Sequence, residues 1–256
     1  MRPDPQAIWD TPRTDPRWRT ADGRYSRSHT GGGSWDKRTL PPSWDIRYRD
    51  LTFRVKPMNF KHTGIFPEQA ANWDFIFDRC REAVAAGRTP RVLNLFAYTG
   101  GATLAARAAG AEVTHVDSVR QVVTWARENM EASGLDGVRW IVEDALKFAQ
   151  REVRRGNVYD GHHPSTPRAY GRGANGEKWV LEEGIGEMLA CCARLLAPSH
   201  SFLVLNLYSM GLSPTLARTA VRQAFGAPRE EQWGELCFTD RGGKELPLGT
   251  YYRFVR

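Results

Sequence analysis

From residue 91 onward, short apolar runs alternate with longer amphipathic stretches, and this alternation constrains the fold more than any other feature of the chain. The runs at 92–96, 112–116, 138–142 and 201–207 have strand length, and a weaker, interrupted one covers 158–164. Between them, residues 101–109, 119–133, 144–155 and 178–197 have helical length, and a further helix is expected over 214–225. Such alternation predicts an α/β fold with a parallel sheet covered by helices on both faces. Two late runs, 232–239 and 249–255, read as strands that close the sheet with an antiparallel edge.

The chain before residue 91 is organised differently. Residues 1–43 are rich in Pro, Gly, Ser and Arg, including Gly31-Gly32-Gly33-Ser34, and read as irregular structure. Residues 44–57 alternate apolar and polar side chains, which predicts a β-hairpin around Arg49-Asp50. Residues 67–88 place Trp73, Ile76, Phe77, Cys80 and Val84 on one helical face. The expected division is an N-terminal extension over 1–66 and a main domain over 67–256. The net charge of +7 favours a polyanionic partner. Residues 1–50 concentrate Arg and Trp, among them Arg17, Trp18, Arg19, Trp35, Arg38, Trp44, Arg47 and Arg49. These residue types can grip phosphates and stack on bases, or the Trp side chains can simply pack on the main domain. Cys80, Cys191, Cys192 and Cys237 show no metal-ligand spacing and read as reduced thiols. There is no bilayer-length apolar run and no secretory signal pattern, so the cytoplasm is the expected compartment, with no membrane partner.

In a sheet of this kind ligands bind beyond the carboxyl ends of the strands. The first parallel strand ends in Asn94-Leu95-Phe96, followed by the turn Ala97-Tyr98-Thr99-Gly100-Gly101. Two glycines permit tight geometry and close approach of a ligand. The turn has neither the GxGxxG spacing of a dinucleotide site nor the Lys-Ser/Thr of a P-loop. The second strand leads into Asp117-Ser118, where a carboxylate can accept both hydroxyls of a ribose. The third leads into Glu143-Asp144, where a carboxylate can accept from an adenine amino group. The plainer reading is that Asp117 and Asp144 cap helices.

The run NLFAYTGG (94–101) with HVD (115–117) resembles the family of ribosomal RNA large-subunit methyltransferases that act on cytosine and guanine. The blocks RPDPQAIW (2–9), GGGSW (31–35), FKHTGIFPEQ (60–69), YGRGANGEKW (170–179), GLSPT (211–215) and LPLGTYYRF (246–254) extend the resemblance to a bacterial branch of that family over nearly the whole chain. The resemblance implies a Rossmann-like seven-stranded methyltransferase sheet, S-adenosylmethionine as methyl donor and RNA, in particular ribosomal RNA, as partner. It also implies a donor site. Asn94, Phe96, Ala97, Tyr98, Thr99, Gly100 and Gly101 would line the methionine and ribose. Asp117 with Ser118 would hold the ribose, and Glu143 with Asp144 the adenine. Lys61, Thr63, Phe66 and Gln69 would close over the donor. Relatives carry more chain before residue 2, so an upstream segment is expected.

One stretch departs from the family. Its fourth strand normally follows Tyr-Asp with an apolar run and an acidic DPP motif. Here Tyr159-Asp160 is followed by Gly161-His162-His163-Pro164-Ser165-Thr166-Pro167-Arg168-Ala169. Pro removes a ladder donor from a central strand. The segment is one of three things: a divergence that damages or reroutes catalysis, a His162–His163 metal site, or a local shift of reading frame. The metal reading is disfavoured because adjacent strand residues face opposite ways, and no metal is expected. The altered loop would normally contact the target base, which leaves Tyr170, Asn206 and Tyr208 as catalytic candidates. Methylation of a pyrimidine carbon needs a cysteine adduct. The stretch 206–210 (NLYSM) has no Cys, so methylation of a cytosine carbon is disfavoured. The alternatives are a methyltransferase for a small molecule or protein, and a donor- or RNA-binding homologue with impaired catalysis.

Overall fold

The computed structural model describes residues 14, 16, 19–27, 33–58, 62–166, 170–172, 178–207 and 212–256. Lys61 and Tyr208, both expected at the site, lie outside the described residues. Two antiparallel hairpins come first: β1 (Arg24–Arg27) with β2 (Gly33–Asp36), and β3 (Trp44–Tyr48) with β4 (Leu51–Val55). The second turns at Arg49, in the left-handed region (φ 50°), as the alternation predicted. The first corrects the reading of 1–43 as irregular throughout. Tyr25 opposes Trp35 in the ladder with ring centroids 5.4 Å apart, and such cross-strand aromatic pairs stabilise short hairpins.

A 3-10 turn, Pro67–Gln69, leads into α1 (Ala70–Ala85). Then follow β5 (Arg91–Leu95), α2 (Gly101–Ala108), β6 (Glu112–Asp117), α3 (Arg120–Ala132), β7 (Val138–Val142), α4 (Ala145–Arg154) and β8 (Gly161–Thr166). A small hairpin, β9 (Tyr170–Arg172) with β10 (Lys178–Val180), precedes α5 (Leu181–Leu195). The chain ends with β11 (Phe202–Leu207), α6 (Pro214–Phe225), β12 (Glu230–Thr239) and β13 (Glu245–Val255). The helix expected over 178–197 therefore starts three residues late, because Lys178–Val180 pair with β9 instead.

The seven-stranded sheet has the order β12-β13-β11-β8-β5-β6-β7. β13 alone runs opposite to the other six strands, pairing antiparallel with β11 and β12. Leu93, Leu95, Leu203 and Leu205 pack against α4, α5 and α6 through Phe148, Met188, Leu189 and Val221. Val92, Val113, Phe202 and Val204 face Ile76 and Cys80 of α1 and Leu104 of α2. Full burial of each such side chain contributes roughly 1.5–3 kcal/mol. The hairpin β3–β4 docks on the same side, with Phe53 stacked on Trp73 of α1 at 5.3 Å.

The interrupted run near 158–164 forms a strand after all, shifted to 161–166 and central in the sheet. Its neighbours impose this. Pairing with β5 runs from Val92↔Gly161 to Leu95↔Pro164, whereas the β11 register is made at Gly161, His162, Ser165 and Thr166 and skips His163 and Pro164. Gly161 is required by close packing, since a Cβ there would lie 2.3 Å from the Phe202 ring. Among the described residues no cluster of metal-ligating side chains forms, and no helix is long and apolar enough to cross a membrane.

Candidate active site

Between β5 and α2 the backbone makes a turn whose geometry is unusual for its residues. Phe96 and Tyr98 both take left-handed conformations (φ 53° and 50°), and Gly100 follows at 92°. Non-glycine residues enter this region at a cost, and they cluster at ligand-binding sites when their surroundings enforce the conformation. The Ala97 amide donates to Val116 O at 3.0 Å, and the Tyr98 amide donates to Asp117 Oδ2 at 3.0 Å. Gly101 cannot be replaced without moving Trp73, whose ring would lie 2.4 Å from an added Cβ.

Asp117 stands at the end of β6 with both oxygens engaged by backbone: Oδ2 by Tyr98, and Oδ1 by the Val119 amide at 2.9 Å. Burial pushes its pKa up, while the two amide bonds pull it down. A carboxylate has about four acceptor positions, so it retains capacity for ligand hydroxyls. Ser118 beside it is half-buried. At the end of β7, Asp144 caps α4, accepting from the Lys147 amide at 2.9 Å, so the capping role is real. Glu143 is held by both guanidinium nitrogens of Arg151 and is committed to that ion pair.

The segment after β4 closes over the turn. Phe66 packs on Tyr98 with ring centroids 5.0 Å apart, and His62 packs on Phe66 at 4.9 Å. The Thr99 hydroxyl donates to Gly64 O at 2.6 Å, so Thr99 binds the closing segment. Thr63 accepts the Lys56 amide through its carbonyl at 3.0 Å. Gln69 is buried and accepts from Asn72 Nδ2 at 2.9 Å. Tyr98 is largely enclosed, and burial pushes its hydroxyl up to about 12, so it stays protonated. Ala97 is buried in the turn, and the Asn94 side chain reaches Thr103 of α2.

Several residues that secure the site carry no sequence signal of their own. Asn129 of α3 donates to Thr99 O at 2.9 Å and accepts from the Arg54 amide at 2.8 Å. One turn earlier, Trp125 Nε1 donates to Arg54 O at 2.7 Å. Their spacing of four residues is the one available hint. On the opposite flank Trp179 of β10 packs on Phe96 at 5.0 Å and ties the β9–β10 hairpin to the turn. Tyr170 belongs to that hairpin by its backbone. Asn206 is buried near the end of β11, opposite Ser165 and Tyr251.

A strained turn leading into a helix, beside a half-buried carboxylate with spare acceptor positions, fits an adenosyl donor carrying a ribose diol. Known proteins agree. The model of the S-adenosylmethionine-dependent methyltransferase family matches residues 11–223. The crystal structure of the SAM-dependent methyltransferase from Agrobacterium tumefaciens superimposes with a TM-score of 0.91 at 36% identity, covering 99% of this chain and 83% of that one. The ribosomal RNA large subunit methyltransferase I of Aeromonas salmonicida is 28% identical over 213 residues, 81% of this chain and 50% of that protein. The K/L enzyme of Shewanella frigidimarina is 27% identical over 157 residues, 60% of this chain and 21% of its own length. The chain thus spans half or less of these two curated relatives. A methyltransferase complexed with SAH shares the fold (TM-score 0.74, 16% identity, covering 92% of this chain and 62% of that one). Sequence, sheet order and donor turn converge, and the chain belongs to the S-adenosylmethionine-dependent methyltransferase family.

Proposed function

We propose that the protein methylates a nucleobase of ribosomal RNA in the cytoplasm. The observation that carries this reading is a strained turn covered by the chain's own Phe66 and Gly64, in a chain similar to enzymes named for ribosomal RNA. Exposed Lys37, Arg47 and Lys56 on the N-terminal hairpins add to it. Arg38, Arg49 and Arg54 lie nearby but are already paired with Asp36, Asp74 and Asp45. In this proposal residues 1–66 are the RNA-facing extension of a methyltransferase domain over 67–256.

The donor supplies a methyl group on a sulfonium, activated for in-line displacement. The protein's task is alignment and exclusion of water. Asp117 fixes the ribose, and Phe66 with protonated Tyr98 forms a dry wall. Asp144 has one oxygen committed to its cap and the other available to an adenine amino group. Trp179 anchors the β9–β10 hairpin to Phe96, and in this reading Tyr170 of that hairpin and Asn206 orient the base. A base nitrogen requires orientation and a place for its proton, which suits neutral groups.

The end of β8 favours a second reading. It carries Ser165-Thr166 where the resemblance to the ribosomal RNA enzymes implies an acidic motif, which fits a donor-binding homologue with impaired transfer. Calorimetric titration with S-adenosylmethionine, followed by labelled-methyl incorporation into RNA from a strain lacking the gene, separates the two. Incorporation into ribosomal RNA supports the first reading. Donor binding with no incorporation supports the second, and incorporation only into protein or small molecules overturns both.

A further inference from the structure

Asn94, His115 and His163 stand side by side on three neighbouring strands: Asn94 of β5 is the registered partner of both His115 of β6 and His163 of β8. All three are buried, at 1%, 0% and 3% exposure. Thr103, in the first turn of α2, joins them. Its hydroxyl lies 2.8 Å from the Asn94 amide and 2.9 Å from His115 Nδ1. The Asn94 amide also meets His163 Nδ1 at 3.1 Å.

One orientation of that amide pairs both of its ends. With its nitrogen toward β8, Asn94 donates to His163 Nδ1 and to the His163 carbonyl, both at 3.1 Å. Its oxygen then accepts from the Thr103 amide at 3.3 Å and the Thr103 hydroxyl at 2.8 Å. This orientation sets the protons along the whole row. The Thr103 hydrogen is used on Asn94, so His115 Nδ1 carries a hydrogen and donates to Thr103 Oγ1. His163 Nδ1 accepts, so its hydrogen sits on Nε2. Burial pushes the His115 and His163 rings down to about 3 and about 4, so both are neutral.

The row joins the parts that donor binding needs held. Asn94 lies on the strand that feeds the strained turn, and Thr103 on the helix that leaves it. His163 lies on the strand that leads to the β9–β10 hairpin. The same faces are otherwise filled by apolar side chains, which set distance but little direction. The hydrogen bonds of the row add direction, while His115 Nε2 and His163 Nε2 find no partner among the described residues. The geometry points to a positioning unit: His163, Asn94, Thr103 and His115 lock the donor turn to the fourth strand, and His163 carries the altered strand's influence into the donor site. This rests on the turn being the donor site.

The test uses the full chain, with S-adenosylmethionine affinity by calorimetry, melting temperature, and imidazole 15N spectra. Thr103→Val keeps the shape and removes the hydroxyl, and it is expected to weaken donor binding about tenfold, which corresponds to about 1.4 kcal/mol. Thr103→Ser restores binding to within about twofold of the wild type. The wild-type spectra show neutral rings with hydrogen on His115 Nδ1 and His163 Nε2, and saturation with donor shifts the His163 signal. Unchanged affinity in Thr103→Val with only a lower melting temperature overturns the proposal, as do the opposite tautomers or a His163 signal indifferent to donor. A wild-type chain that binds no donor overturns the donor reading along with it.

Discussion

Gly64→Ala tests how the N-terminal segment closes over the donor turn. Gly64 has φ +97°, and a Cβ there would lie 2.1 Å from Trp125 Cζ2 and 2.2 Å from Cη2. The indole cannot easily retreat, because it is buried and its Nε1 donates to Arg54 O at 2.7 Å. The left-handed backbone costs a residue with a Cβ roughly 1–2 kcal/mol. Overpacking adds about 1–3 kcal/mol. The expected destabilisation is therefore about 2–5 kcal/mol, a large part of the roughly 5–15 kcal/mol that holds a domain folded. The Gly64 carbonyl also accepts the Thr99 hydroxyl, so its displacement loosens the turn. Donor affinity should fall about tenfold, by the loss of about one directed hydrogen bond. Urea denaturation at a fixed slope, with calorimetric titration of S-adenosylmethionine, measures both. A Trp125→Phe background separates the two costs, because phenylalanine lacks the ring atoms that collide. There Gly64→Ala should cost only the backbone part, leaving a coupling of about 1–3 kcal/mol. A cost below about 0.5 kcal/mol in the wild type, or an equal cost in both backgrounds, would refute the reasoning.

Asp117→Asn leaves an amide N–H facing an NH2 group, since both Asp117 oxygens accept from backbone; calorimetry should show donor affinity at least about tenfold lower, alongside a stability loss of about 1–3 kcal/mol. His162 is fully buried beside the Leu195 carbonyl, which already accepts the Tyr159 amide at 2.8 Å, and neither ring nitrogen finds a partner among the described residues. His162→Leu should stabilise by about 1–3 kcal/mol at pH 7. Burial pushes His162 down to about 4, so the wild type loses stability as pH falls from about 6.5 toward 4 while its unfolded state takes up the proton; the variant's lead should widen over that range in urea melts. Glu231 is held down to about 2 by Arg222, Tyr252 and Arg218, so its contribution is complete above about 4.5 and vanishes as pH falls through about 2. Glu231→Gln should cost about 1–2 kcal/mol at pH 7 once solvent screening of the half-exposed arginines is allowed for, and nothing near pH 2. Trp179→Ala should leave donor affinity within about threefold yet slow methyl transfer about tenfold, because a misplaced acceptor loses alignment; equal losses in binding and transfer would show that the ring serves the donor instead.

The parallel strands were legible because a strand buried on both faces must be apolar nearly throughout, as residues 92–95 and 202–205 are. The hairpin β1–β2 was not, because it depends on one aromatic pair, Tyr25 with Trp35, set among Gly, Ser and Arg. The turn after β5 announced itself through Gly100 and Gly101. The left-handed Phe96 and Tyr98 could not be read, since their conformation comes from Val116 and Asp117 on the neighbouring strand. Trp125 and Asn129 look like ordinary helix residues until α3 is seen packed against β4. For Asp144 the sequence offered two roles, a helix cap and an adenine partner. The structure shows the first.

The altered fourth strand shows why local composition is a poor guide at the centre of a sheet. Gly, two His and Pro have weak strand preference, and a strand of them at an edge would not persist. Here β5 and β11 supply ladder partners from both sides, and strand preference yields to that context. The same neighbours decide what the unusual residues do. His162 faces the apolar layer beside Tyr159 and neither ring nitrogen gains a partner there, whereas His163 faces Asn94 and joins a hydrogen-bonded row through Nδ1, its Nε2 left without a partner among the described residues. Adjacent in sequence and opposite in direction, the two imidazoles cannot share a ligand, and they separate into one residue that burdens the fold and one that orders the donor turn. The stretch that departs from the family resemblance is thus tied, through His163 and Asn94, to the strand that feeds the turn. Replacing it wholesale with an apolar strand would relieve the first histidine and remove the second, so the two effects must be measured one residue at a time.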